Sequence, residues 1–363
     1  MRIAIDASRT TVARVTGTER YALELIRALI ALGPEHRFTL YFRDTPQPGL
    51  FPNLPNVESR VIPFRRAWTH VRFALALAQD RPDIVWVPAH TLPFVFPGRA
   101  AVTVHDLGYR LFPQAHPARQ RRYLDWTTAH SARRANVVFA DSRATASDLE
   151  QFYGTPEGKI RVVYPGVDIP AIGDIPEMRS RLGLPERYFL FLGTLQPRKN
   201  IQRLVRAYAQ WKANYPEDDI ALVMAGAQGW MFDPAWVEGV PGIIQTGYVD
   251  DADRGALYAG ALALLFPSLY EGFGFPVVEA MGCGTPVLAS NTSSLPELVG
   301  DSGLLVDPLD EAAIAGGIAR LANDSALRAQ LVGKGRIQAA RFTWEAAARG
   351  ILGGLTAAGR SRD

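Results

Sequence analysis

The chain has 363 residues, 48% of them hydrophobic and 21% charged. Those proportions belong to a folded globular protein and exclude disordered or collagen-like chains, while the length fits two domains of ordinary size. The formal net charge is +3, divided unevenly: residues 1–168 carry 22 Lys and Arg against 15 Asp and Glu, and residues 169–363 carry 17 against 21.

In chain order, β-rich runs alternate with helical patterns. Strands are expected at Arg2–Asp6, Phe38–Phe42, Asp83–Pro88, Ala101–Val104, Asn136–Ala140 and Ile160–Val163. Thr18–Ala31, Pro117–Arg134 and Arg143–Phe152 carry the helical period between them. The scheme then repeats. Strands are expected at Tyr188–Leu192, Ala221–Ala225, Gly242–Gln245, Leu262–Phe266, Val287–Ser290 and Gly303–Val306. Helices are expected at Ile201–Tyr215, Asp251–Ala259, Pro276–Met281, Asp310–Leu321, Ala326–Arg341 and Thr343–Leu355. Such alternation predicts an α/β fold: two Rossmann-like, doubly wound parallel-sheet domains facing across a cleft. The expected domains are residues 1–168 and 169–342. A final helical segment, 343–363, crosses back to the first domain. The Pro- and Gly-rich stretch Ile169–Pro185 reads as the linker.

In open parallel sheets ligands bind beyond the C-terminal ends of the strands, so residues just after strands are the informative ones. Glu271-Gly-Phe-Gly-Phe-Pro-Val-Val-Glu279 follows the apolar strand ALLFPS. Pro276 fits the first turn of a helix, where its missing N–H is no loss. Gly272 and Gly274 leave the backbone bare, so amides at the helix start can approach a phosphate or sugar hydroxyls closely. Alone, an E-x7-E pair reads as a dipole partner and a solvated loop residue. The glycines, the proline and the preceding strand turn the reading to ligand binding. A second segment, Phe191-Leu-Gly-Thr-Leu-Gln-Pro-Arg-Lys-Asn200, ends a strand and presents Arg198 and Lys199. A guanidinium fork beside an ammonium suits a diphosphate, and Asn200 reads as a helix cap.

With these segments in view, the chain resembles retaining glycosyltransferases of family 4, with the glycosyltransferase-B architecture. The resemblance also rests on TGTERYALELIRAL, VHDLGYRLFP, VFADSRATASDL, KIRVVYPGVD, GYVDDADRGALYAGA and GTPVLASNTSSLPELVGDSGLLVDP. TGTERY and VHDLGYRLFPQAHP are most similar to bacterial GDP-mannose-dependent mannosyltransferases of polysaccharide assembly. The resemblance implies that Arg198 and Lys199 hold the donor diphosphate. By the same token Glu279 binds the ribose, Glu271 the donor sugar, and the backbone at Gly272, Phe273, Gly274 and Phe275 further sugar hydroxyls. It implies that the backbone near Tyr248 and Val249 meets the base, that His105 faces the donor sugar, and that Gly17 lets the first loop approach phosphate and acceptor. Glu271, His105, Arg198 and Lys199 are thus the candidate catalytic residues. The expected partners are GDP-mannose and a glycan or lipid-linked acceptor, with no cofactor and no metal. Two departures touch the acceptor-side loop: Thr16-Gly17 stands where the family often has paired glycines, and Glu19 where related mannosyltransferases often have glycine. His90 reads first as a structural histidine.

Other signals are weighed and set aside. Asp251-Ala-Asp253 spells a metal-binding D-x-D, yet it opens a helix, where acidic residues read as N-caps. The single cysteine, Cys283, excludes a disulfide framework and reads as a packing residue. No run of basic residues interleaved with aromatics points to nucleic acid. The apolar segment of MRIAIDASRT is too short for a signal peptide and no stretch is long enough to span a bilayer, so a cytoplasmic chain is expected. The helix running to Arg134 mixes Arg119, Arg121 and Arg122 with Tyr123 and Trp126, which suits an ordinary surface or peripheral contact with an anionic membrane. The rival readings are a UDP- or ADP-sugar transferase, a two-lobed sugar-binding protein without catalysis, and a nucleotide-sugar epimerase or hydrolase.

Overall fold

The computed structural model describes residues 1–12, 17–115, 117–229 and 231–360. Thr16 and His116, quoted above, fall outside them. The chain forms two compact units, Met1–Gly166 with Thr343–Asp363, and Val167–Phe342.

The first unit carries β1 (Arg2–Asp6), β2 (Arg37–Phe42), β3 (Val57–Val61), β4 (Ile84–Val87), β5 (Arg99–Val104), β6 (Val137–Ala140) and β7 (Ile160–Val162). They form one sheet in the order β3-β2-β1-β4-β5-β6-β7, with every neighbouring pair parallel. Side chains alternate across a strand, and β1 shows the consequence. Ile3 and Ile5 belong to one buried cluster, with Tyr21, Leu25, Ile351 and Leu355. Ala4 belongs to another, with Phe73, Leu77, Val102 and Leu149. Each face is therefore covered by helices, and the segment Trp344–Arg360 supplies part of one cover.

The second unit carries β8 (Tyr188–Leu192), β9 (Ala221–Ala225), β10 (Ile243–Gly247), β11 (Ala263–Phe266), β12 (Val287–Ser290) and β13 (Leu304–Val306). Their order is β10-β9-β8-β11-β12-β13, again all parallel. β8, β9, β11 and β12 are buried almost throughout, which is why they read as continuous apolar runs.

Three parts of the sequence reading change. Ile169–Pro185 is no free linker. Asp174 accepts from the Glu177 amide, Pro176 occupies the first turn, and Ile175–Leu182 is a helix ended by Gly183. The segment before it lies so close to the helix Asp251–Ala259 that a Cβ on Gly255 would come 2.0 Å from the Ala171 carbonyl oxygen. β3 went unseen because VESRV is a polar, largely exposed edge strand with no apolar run. The helix Ala74–Asp80 is a short piece without its own cap signal.

Candidate active site

In the second unit the sheet order reverses between β8 and β11: the chain next goes to β9 on one side and to β12 on the other. Loops leaving such neighbours diverge, opening a crevice at their carboxyl ends. Both sequence-predicted segments sit there. Pro197–Lys199 forms a 3₁₀ turn after β8, and Glu271 lies in the loop after β11.

The Lys199 Nζ donates to Glu271 Oε1 at 2.6 Å, and Arg198 Nη1 lies 3.4 Å from Glu271 Oε2. Arg198 also donates to the Tyr270 carbonyl oxygen at 2.8 Å, while its own carbonyl accepts from the Leu269 amide at 2.9 Å. Lys199 lies 4.7 Å from the centre of the Phe266 ring. Lys199 and Glu271 are both buried. Burial alone would raise the Glu271 carboxyl, but Lys199 and then Arg198 outweigh it and hold the group below its ordinary range. Asn200 holds the expected N-cap position of the helix Ile201–Asn214 but makes no side-chain cap there. It sits in the left-handed region (φ 60°), and its amide donates to the carbonyls of Pro267 at 3.0 Å and Pro308 at 2.6 Å. It thereby ties the cationic turn to the end of β11.

The Glu271–Phe275 loop is fastened from behind. The Glu271 amide donates to Ser293 Oγ at 3.0 Å, and the Ser294 hydroxyl donates to the carbonyls of Glu271 and Phe273. Gly274 has φ 126°, a conformation that favours glycine, and a Cβ there would press on the Leu295 side chain at 2.8 Å. The helix Phe275–Cys283 starts beyond it with Pro276 in its first turn and no side-chain cap. Its positive end therefore faces the loop unscreened by a capping oxygen. Glu279 is buried in this helix, accepts from the Tyr258 hydroxyl at 2.9 Å and lies 3.6 Å from Arg254 Nε. Burial and then Glu279 push the Tyr258 hydroxyl well above its ordinary value, so it stays the donor. Tyr248 and Val249 follow β10, with Tyr248 73% exposed.

The remaining candidates belong to the first unit. His105 follows β5, and each polar atom it has is engaged. Nδ1 lies 2.7 Å from Asp141 Oδ2 and Nε2 lies 3.1 Å from the Pro88 carbonyl oxygen. The amide donates to His90 Nε2 at 3.3 Å, and the carbonyl accepts from the Thr145 hydroxyl at 3.2 Å. Gly17 is the exposed first residue of the helix Gly17–Leu32, and the buried Glu19 two residues on pairs with Arg9 at 3.4 Å.

Asp251 and Asp253 are not caps. The N-cap is Asp250; Asp251 pairs with Arg254 at 2.8 Å, and Asp253 pairs with Arg181. No cluster of three or more His, Cys, Asp or Glu side chains suited to a metal occurs among the described residues. Cys283 is buried against Pro170, and burial pushes its thiol up to about 11. Sequence reasoning missed Asp141, Ser293, Ser294 and Tyr258. Only Asp141 carried a signal, as a carboxylate directly after a strand.

A family model described as Glycosyltransferase Family 4 matches residues 15–170, and one described as Glycosyl transferases group 1 matches residues 174–338. The chain is 30% identical to the O-antigen chain mannosyltransferase B of Escherichia coli over 365 residues, covering 91% of this chain and 93% of that one. The chain belongs to glycosyltransferase family 4. This family 4 glycosyltransferase is also 26% identical to the serotype-specific mannosyltransferase WbdA of Escherichia coli. That similarity covers 98% of this chain but 48% of WbdA, so the chain spans about half of that relative. Among solved structures it is similar to the sucrose-phosphate synthase of Thermosynechococcus elongatus, with a TM-score of 0.75 at 23% identity over 98% of each chain. That likeness concerns the fold, the glycosyltransferase-B architecture of two parallel-sheet α/β units.

Proposed function

We propose that this glycosyltransferase moves mannose from GDP-mannose to a hydroxyl of a glycan or lipid-linked acceptor in polysaccharide assembly, with retention of anomeric configuration. The observation that carries this reading is the convergence of Arg198 and Lys199 on the loop leading into the uncapped helix tip at Phe275. In it, the two cations and the helix-tip amides hold the donor diphosphate. Glycosyl transfer passes through an oxocarbenium-like state while negative charge builds on the departing phosphate. Preplaced cations and amides stabilise that charge, and each such contact is worth about 10²–10³ in rate. Glu271 holds both cations in place and accepts a sugar hydroxyl. Glu279, already receiving the Tyr258 hydroxyl, takes the ribose. The departing phosphate takes the acceptor proton and attack comes on the same face. Mannose as the sugar is supported by the mannosyltransferase names of the two Escherichia coli relatives.

The test is incubation with GDP-mannose and a mannosylated lipid-linked acceptor, followed by mass measurement. A gain of one hexose on the acceptor is expected. No product with GDP-mannose but product with UDP- or ADP-sugars would replace the donor. Full-rate release of free sugar without acceptor would replace the transferase by a hydrolase, and binding without any turnover by a sugar-binding protein.

Peripheral membrane contact is part of the same proposal. Tyr123 (48% exposed) and Trp126 (55%) stand on the helix Ala118–Arg134 beside exposed Arg119 and Arg122. The Phe94 ring lies 4.4 Å from Trp126 and stacks at 3.8 Å on His70, which bonds Tyr123 at 3.1 Å. Aromatic rings beside guanidinium groups suit anionic headgroups. Flotation with phosphatidylglycerol vesicles is expected to carry the protein up, and Trp126→Ala with Tyr123→Ala to weaken this several-fold; no flotation at low salt would remove the contact. No helix among the described residues is long and apolar enough to cross a membrane.

A further inference from the structure

At the carboxyl edge of the first sheet, β5 and β6 run parallel with Val104 opposite Ala140, so His105 and Asp141 leave the strands side by side. Both ring nitrogens of His105 face groups that offer lone pairs: Asp141 Oδ2 at 2.7 Å and the Pro88 carbonyl oxygen at 3.1 Å. A carbonyl only accepts, so Nε2 carries a proton. The Nδ1–Oδ2 bond then needs one more, held by either partner. Two considerations place it on the ring. Imidazole is the stronger base, with an ordinary value of 6.5 against 3.8 for the carboxyl. Asp141 lies just ahead of the 11-residue helix Arg143–Tyr153, whose positive end favours an ionised carboxylate. Burial raises the Asp141 carboxyl, and its Oδ1 is buried with no hydrogen-bond partner among the described residues; the charge of His105 and its hydrogen bond pull the other way.

We propose that Asp141 is a positioning residue that keeps His105 doubly protonated, a fixed imidazolium at the carboxyl edge of the first sheet. The pair is held on all sides. The His105 amide bonds His90 and its carbonyl bonds Thr145, while the Tyr21 ring packs edge-on at 4.8 Å. The charged and titratable neighbours are Asp141, Asp106, His90 and Tyr21, with Arg9 acting on His90. Burial works against charge on His105, but Asp141 and its hydrogen bond, then Asp106, turn the balance upward. His90 is driven the other way, down to about 3, by burial and by His105. A neutral His90 is the acceptor that the His105 amide requires. The two histidines, 5.6 Å apart, are thus held in opposite protonation states.

The protonation state stands apart from the transferase reading, and only the rate experiment rests on that reading. The first experiment uses the full chain labelled with ¹⁵N-histidine and followed by NMR from pH 6 to 9. Of the five described histidines, His36, His70, His90 and His130 are shifted down and His105 alone up. Among the described histidines one imidazolium signal is therefore expected to survive at pH 7.5, to vanish in His105→Gln, and to become neutral in Asp141→Asn. A neutral His105 at pH 7.5 in the unaltered protein overturns the proposal whatever the activity. The second experiment compares transfer rates. Asp141→Asn is expected to lower kcat about 10²-fold at pH 8, with KM for the donor little changed and a smaller loss at pH 6 than at pH 8. A loss equal at both pH values, with His105 still charged, would also overturn it. A charged His105 in a protein that transfers no sugar would leave the pair intact and remove the transferase reading instead.

Discussion

Lys199 and Glu271 are buried together, and the physics of such pairs makes them sensitive in both directions. Removing one partner of such a pair loses about 3–5 kcal/mol in comparable cases, and less for Lys199 because Arg198 also faces Glu271. Lys199→Met is therefore expected to lower thermal stability and to lower kcat by about 10²–10³, read by melting and by turnover. Glu271 has its folded value below 4.5, so it adds stability that is complete above 4.5 and is lost as pH falls through the lower value. Glu271→Gln is expected to erase that acid limb in a series of melts, and wild-type melting unchanged from pH 6 to 3 would contradict the pairing. His105 acts with the opposite sign. Its value is raised above 6.5, so its contribution is complete below 6.5 and is lost as pH rises through the folded value. At this scale the sequence showed Arg198, Lys199 and Glu271 because charged residues directly after apolar strands stand out. It did not show Asp141 as the partner of His105, since 36 residues separate them and only the pairing of β5 with β6 brings them together. Nor could it show that Asn200 spends its amide on the carbonyls of Pro267 and Pro308 instead of on a helix end.

Elements were legible wherever burial on both faces wrote a continuous apolar run, as in β8 and β11, or wherever a helix announced its ends, as Pro276 does. They were illegible where packing rather than composition decides. Ile169–Pro185 has the glycines and prolines of a linker, yet the capping pair Asp174 and Glu177 starts a helix inside it. The close approach of Ala171 to Gly255 holds the preceding stretch on the second unit. Gly255→Ala tests that contact because two effects compete. Alanine favours a helix over glycine by about 1 kcal/mol. A methyl group forced to within 2.0 Å of a carbonyl oxygen makes the backbone move, and overpacking of this kind is worth about 1–3 kcal/mol. Net destabilisation in denaturant unfolding is expected, and a gain in stability would show that the stretch is loosely held.

On the scale of the whole molecule, the strand orders of both sheets follow from one rule. Parallel neighbours joined by helical crossovers produce a reversal point, and the residues that bear chemistry collect at its carboxyl edge. That rule let the sequence place Arg198, Lys199 and the Glu271–Glu279 segment on one edge of one sheet before any coordinates. Composition added a basic first half, but nothing in it separated a phosphate partner from a membrane or from plain solubility. A nucleotide that binds only the folded chain must raise its melting temperature. GDP is expected to do so more than UDP or ADP, and an equal response to all three would leave the base unselected. The central claim is narrower: the two cations beside the helix tip grip a diphosphate. Isothermal titration of GDP and of GMP, into the unaltered protein and into Arg198→Met with Lys199→Met, tests it most directly. GDP is expected to bind at least ~10-fold more tightly than GMP, and the substitutions to erase this gap, because only the second phosphate reaches the pair. Equal affinity for GDP and GMP, or a gap that survives loss of both cations, would contradict it.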